Sequence, residues 1–152
     1  MPIKGSIGSN IYHRNEFAFN VAGIGDLTVI SVSEIEQNLQ TVTLSDRTVV
    51  TGGSTEAFEI DVVTPAGNNA EQAKWQQWYL DSQHPAEPTY KKTVTIVRES
   101  AELPLSKTMV YTLEGVFIRK RMDSDFDMDN EGEDARVTWT LSVDDVTVTH
   151  TN

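Results

Sequence analysis

Cysteine is absent from the 152 residues of this chain, which removes disulfide staples, thiolate zinc sites and cysteine nucleophiles together and agrees with folding in a reducing compartment. Long apolar runs are missing too. No stretch approaches the roughly 20 apolar residues of a membrane helix, and Met1-Pro2-Ile3-Lys4-Gly5-Ser6 has no apolar secretory core, so the expectation is a soluble protein with no membrane association and no export through a cleaved signal. Basic residues are scarce: 12 Lys and Arg stand against 23 Asp and Glu, a net charge of −11. That balance argues against general nucleic-acid binding, where cations must neutralise phosphates. It is compatible with a surface that nucleic acid passes without sticking, or with an acidic face that aids solubility.

Motifs for catalysis are also lacking. His13, His84 and His150 are isolated, with no spacing that puts two ligands on one face. Gly52-Gly53-Ser54-Thr55 lacks the lysine and the following helix of a phosphate-binding loop. The expectation is a protein with no catalytic residues, no bound cofactor and no metal site. The acidic stretch at 123–134 fails the calcium test as well. Starting an EF-hand frame at Asp127 puts Gly132 at the glycine position but Thr138 where the bidentate Glu belongs, and starting at Asp123 puts Met128 in place of the glycine.

What is present is period-2 patterning. Phe17, Phe19 and Val21 alternate with polar or small neighbours, Phe58, Ile60 and Val62 with Glu59 and Asp61, and Val137, Trp139, Leu141 and Val143 with Thr138, Thr140 and Ser142. Further strands are expected at 27–36, 40–44, 90–98, 108–121 and 146–149, with a turn or bulge at Asp144-Asp145, where the apolar phase shifts. One helix is expected over 69–82. It carries Trp75, Trp78 and Tyr79 at i, i+3, i+4 spacing, with Asn69 and Gln72 placed like a capping box and prolines on either side. That aromatic stripe reads as the face docking the helix on a sheet; exposed, it would instead be a stacking platform for a sugar or peptide.

Between Met122 and Asp134 lie seven acids, and in the first half Asp123, Asp125, Asp127 and Asp129 alternate with Met122, Phe126 and Met128. As an extended strand this places carboxylates on one face and apolar groups on the other, with 130–134 as a turn. Residues 1–14, rich in Gly, Ser and Asn, and 45–56, with Asp46, Arg47, Gly52, Gly53 and Glu56, read as mobile loops suited to contacts.

Taken in order, Leu113-Glu114-Gly115-Val116-Phe117, Asp125-Phe126-Asp127 and the 137–145 strand ending in an acidic pair resemble the C-terminal half of phage tail tube proteins, especially those of contractile tails. The upstream order agrees: an N-terminal strand, a long β segment with a loop, one Trp-bearing helix, then Lys91-Lys92-Thr93-Val94-Thr95-Ile96. The resemblance implies a single mainly β domain over 1–152, an antiparallel β-sandwich or barrel flanked by one α-helix, related in fold to the type VI secretion tube protein. It implies a structural subunit without enzymatic activity, six copies to a ring and rings stacked into a tube whose acidic lumen conducts DNA. Its partners would be itself, a sheath if the tail contracts, and baseplate and tape-measure proteins; its place would be the virion tail, after assembly in the host cytoplasm. Glu34, Glu36, Glu59, Asp61 and Asp123 to Asp129 are then candidates for the lumen wall, and the 45–56 loop and 1–14 arm for bridges between subunits. The same acids could form the outer surface or pair with Arg119, Arg121 or Lys91-Lys92 of a neighbour. The alternative is a monomeric β-sandwich binding module using the Trp75, Trp78, Tyr79 platform or a calcium-dependent loop.

Overall fold

The structure is a computed structural model that describes residues 17–86, 89–99, 108–129 and 134–151. Its strands are β1 (Ala18–Val21), β2 (Gly25–Leu27), β3 (Ser31–Val32), β4 (Leu39–Thr43), β5 (Val49–Thr55), β6 (Phe58–Pro65), β7 (Lys92–Glu99), β8 (Thr108–Asp123), β9 (Arg136–Val143) and β10 (Asp145–Thr151), with one helix, α1 (Asn69–Ser82), between β6 and β7. All pairings are antiparallel, in the order β2-β1-β7-β8-β9-β6-β3, with β10 also on β8 and with β4 and β5 forming a separate two-stranded sheet.

The 16-residue β8 is the spine of this arrangement. Its first half lies between β7 and β10, with Leu113 opposite both Val94 and Val146, and its second half runs along β9, from Phe117 opposite Ser142 to Asp123 opposite Val137. The change of neighbours falls at Gly115, which has φ +65°. A Cβ there would lie 2.9 Å from the Asp144 Cβ and clash with that residue's carboxylate. Only glycine adopts this conformation without strain and leaves Asp144 its space. The chain bends in parallel at Asp144, between β9 and β10, whose N–H donates to the Glu114 carbonyl at 3.0 Å.

Alternation then sends Phe19, Val21, Val94, Ile96 and Leu113 inward from one half, and Ile60, Val62, Ile118, Val137, Trp139, Leu141 and Val143 from the other. The helix closes this core with Trp75 and Trp78. Trp75 stacks on Trp139, ring centroids 5.7 Å apart and 10° from parallel, and also meets Trp78 and Phe19. Each such ring removes 150–250 Å² from water, about 4–6 kcal/mol at ~25 cal/mol/Å².

Three local expectations are corrected. The N-cap of α1 is Asn68, whose side chain accepts from the Glu71 N–H, one residue before the expected position; Gln72 does not close a capping box but donates to Thr64 Oγ1 and to the Pro65 carbonyl, pinning the helix to β6. The strand expected over 27–36 is only β2 and the two-residue β3, because the chain on either side of β3 bonds β6 only singly, Ile30 N–H to the Val63 carbonyl and Ser33 N–H to the Asp61 carbonyl. The segment 45–56, expected as a loop, contains β5, paired with β4 through Thr41 opposite Thr51 and Val42 opposite Val50. The 1–14 arm lies outside the described residues.

Gly115→Ala is expected to lower stability by about 2–3 kcal/mol, from strain at positive φ together with displacement of Asp144. Gly67→Ala, where a Cβ meets nothing within 4 Å, should change it by less than about 0.5 kcal/mol. Denaturant unfolding of both variants measures the difference.

Candidate assembly surfaces

The β4–β5 hairpin projects from the domain with every residue exposed on both faces. Its tip is a tight turn in which the Leu44 N–H donates to the Thr48 carbonyl, Arg47 sits at φ 69°, and Asp46 Oδ1 accepts from the Thr48 N–H at 3.0 Å. That backbone bond, then the Thr48 hydroxyl, hold the Asp46 carboxyl below its ordinary pKa. Gly52 lies against the Gln40 backbone, where a Cβ would come 3.0 Å from the carbonyl oxygen, and Gly53 turns with φ +80°. At the base, the Glu56 N–H donates to the Asn38 carbonyl, Thr55 Oγ1 to Asp145 Oδ1, and Gln37 Nε2 to the Val146 carbonyl. Leu39, Val42, Leu44, Val49 and Val50 leave the hairpin unusually apolar for exposed structure, Leu39 at 57% and Val49 at 59%. A two-stranded ribbon of this kind is marginal alone, and exposed apolar groups on it mark a contact surface.

The eight acids expected at a lumen wall fall in three places. Glu59 and Asp61 stand on the core-distal face of β6, but Glu59 forms an ion pair with Arg119 at 2.6 Å and Asp61 accepts from Thr140 Oγ1 at 2.7 Å. Lys120 and Arg136 are exposed on the same side, because they lie opposite Thr140 and Pro65 in their ladders. Two acids therefore meet three cations there. Glu34 and Glu36 sit in the connection from β3 to β4, Glu36 accepting from Asn38 Nδ2. The Asp123 to Asp129 row is not a strand: β8 ends at Asp123, whose carboxylate takes two bonds from Arg121, and Asp125, Asp127 and Asp129 lie in an exposed loop. The expected apolar face of that strand is exposed as well, with Phe126 at 95% and Met128 at 102%. The last ladder pair is Val137 opposite Asp123, and beyond it the Ser124 N–H to Arg136 carbonyl bond closes the base of the loop.

Trp75 and Trp78 are 0% and 1% exposed, and Tyr79 is partly buried against Trp139. The Trp78 indole N–H donates to the Tyr90 carbonyl at 2.8 Å, and Arg121 lies 5.1 Å from the centre of the Trp139 ring while its Nη1 donates to Gln76. No stacking platform remains for a sugar or peptide on these rings. Sequence patterning did not single out the cavity of about 640 Å³ lined by Phe17, Ile30, Val32, Ile35, Ile96 and Tyr111, with Arg98 and Glu34 at its polar side. The Arg98 guanidinium lies 5.7 Å from the Tyr111 ring centre, and its Nε is buried without a hydrogen-bond partner among the described residues. Four separate segments build this cavity, at Phe17, 30–35, 96–98 and Tyr111, so no local motif announces it.

No family model and no curated protein matches the chain. Among solved structures it is similar to a chain of the anti-feeding prophage cap, the AFP tube-terminating cap, with TM-score 0.70 and 17% identity over 100% of this chain and 95% of that one. It is similar to a chain of the PVC sheath-tube complex, an extracellular contractile injection system in its extended state, with TM-score 0.66 and 18% identity over 89% and 88% of the two chains. A chain of the PVC sheath/tube terminator aligns with TM-score 0.63 and 18% identity over 88% and 92%. The mainly antiparallel fold with a single helix is thus the tail-tube-type fold.

The chain has 3 tryptophans, and all of them are in the core. Its emission is expected to be blue-shifted, weakly quenched by acrylamide and unchanged by added oligosaccharide or peptide. A red-shifted, readily quenched spectrum would restore the platform.

Proposed function

We propose that the chain is a non-enzymatic structural subunit of a contractile tail tube or a related injection tube, and that copies close head to tail into six-membered rings that stack. The observation that carries this reading is the β4–β5 hairpin, wholly exposed and carrying Leu39, Val42, Leu44, Val49 and Val50 into solvent, on a tail-tube-type fold. A body with its own core has no use for such a ribbon alone; laid on a neighbour, the ribbon buries Val42 and Val50, which face each other across the ladder on one side, and gains the packing it lacks. Heterologous contacts of this kind generate rings when the rotation closes. A sheath around the tube is the natural outer partner, by likeness to the chain of the sheath-tube complex.

Charge supports passage through such a tube. Six copies at −11 each put roughly −66 on a ring, and like charge on wall and phosphate suppresses adhesion within a Debye length of ~10 Å. Under this reading DNA moves through without specific binding. The excess acids sit in loops such as 125–129 and 34–36, while the β6–β9–β8 face is nearly balanced.

Purified protein is expected to form rings or tubes of uniform diameter by electron microscopy. Replacing residues 40–54 by a short turn should leave a cooperative melt and a monomer by sedimentation, because the hairpin meets the body at its base. Wild-type protein that stays monomeric at high concentration across salt conditions overturns the reading.

A further inference from the structure

Phe126 and Met128 are the most exposed large apolar side chains among the described residues. Their loop is nonetheless shaped. Its base is closed by the Ser124 N–H donating to the Arg136 carbonyl and the Arg136 N–H donating to Ser124 Oγ, and its tip turns where Asp127 Oδ1 accepts from the Asp129 N–H at 3.0 Å. Phe126 stands between Asp125 and Asp127. An aromatic ring presented in this way has the character of an interface anchor, and its flanking carboxylates demand a partner that is apolar within and cationic at one side.

The 640 Å³ cavity has that character. Phe17, Ile96 and Tyr111 give it apolar walls, and the Arg98 Nε is a buried donor lacking an acceptor. A buried guanidinium N–H left unpaired is costly, and a carboxylate is the acceptor that relieves it best. Glu34, exposed on the rim, repels acids there and favours approach from the Arg98 side. The loop of the same chain does not reach this cavity. Tyr111 lies toward one end of β8 and Asp123 at the other, twelve residues on, up to ~40 Å of extended chain; each half is fixed in its own ladder.

We propose that Phe126 of one copy seats in the Phe17, Ile96, Tyr111 cavity of the next, with Asp125 or Asp127 accepting from Arg98. The inference rests on the reading of the chain as a self-associating subunit and adds the contact that carries it. Knob and hole at opposite ends of one strand make the association heterologous, so each copy bound leaves another hole and another knob free.

The absence of cysteine allows a direct test. Tagged Phe126→Cys chains are mixed with Glu34→Cys chains and oxidised mildly, with Ala73→Cys on the exposed side of α1 as the control partner. The expected result is a mixed disulfide with Glu34→Cys at least ~10-fold above the control, as an effective concentration in the seated complex requires. A yield equal to the control overturns the contact. Phe126→Ala should raise the concentration needed for assembly at least ~10-fold, as loss of a central aromatic anchor does, while leaving the melting temperature unchanged. Tubes forming equally well from Phe126→Ala also overturn the contact and leave the subunit reading standing. Wild-type protein without polymer removes the subunit reading, and the mixed disulfide then decides the contact on its own.

Discussion

At Gly115 the backbone takes a conformation that a side chain would strain, and the Asp144 carboxylate fills the place the side chain would have occupied. This close approach lets one strand serve two ladders, β7 and β10 before it and β9 after it. Without the bend the Leu113 and Ile118 faces of β8 would not contribute to one core. Lys91 pairs with Asp144 at 2.9 Å, and that hydrogen bond, then the charge of Asp144, raise the lysine pKa. The pair is largely exposed, so it contributes at most about 1 kcal/mol. Steric fit decides the corner, and the ion pair trims it.

The helix depends on the corner in turn, because Trp75 needs Phe19 from one half and Trp139 from the other. Stacking the two indoles leaves both of their N–H groups buried without partners. Each orphan donor costs about 1–3 kcal/mol, against the roughly 4–6 kcal/mol from burying the ring, so burial wins. Trp78 avoids the penalty by reaching the Tyr90 carbonyl. A helix held by three buried or half-buried aromatics is poorly suited to let go of the sheet. Among the described residues, the hairpin, the 125–129 loop and the cavity present the apolar surface available to other molecules.

Much of the fold was legible because alternation over 58–63 and 137–143 and the 3.6-residue stripe of 69–82 are consequences of burying one face. The failures share a cause. Asp123 to Asp129 alternates as well as any strand in the chain, yet alternation describes a strand only where a neighbour supplies hydrogen bonds, and β9 ends the ladder at Asp123. In 45–56, Gly52-Gly53 signals a break, but Val49, Val50 and Thr51 had a partner in Thr41 to Thr43 and paired despite it. The cap moved from Asn69 to Asn68 because Gln72 was drawn to Thr64 and Pro65, a tertiary contact that no window of sequence contains. Arg98 was unremarkable in sequence for the same reason: its environment comes from Phe17 and Ile30 to Ile35.

A net charge of −11 makes any association of identical copies work against repulsion. Apolar contact is indifferent to that field, and the exposed apolar groups of this chain are concentrated on the hairpin and beside the acids of the 125–129 loop. Three of the described cations are already paired within the chain: Arg119 to Glu59, Arg121 to Asp123 and Gln76, Lys91 to Asp144. Lys120 and Arg136 stay exposed on the β6–β9–β8 face. Unlike these exposed cations, the Arg98 Nε is buried without an acceptor among the described residues, and it is the donor whose need an incoming carboxylate most directly answers. In the assembly proposed, repulsion would set the distance that copies must overcome, apolar anchors would supply the attraction once they touch, and a buried donor would select the register. Such a division gives self-assembly that is specific in orientation while the remaining acidic surface stays unattractive to a polyanion.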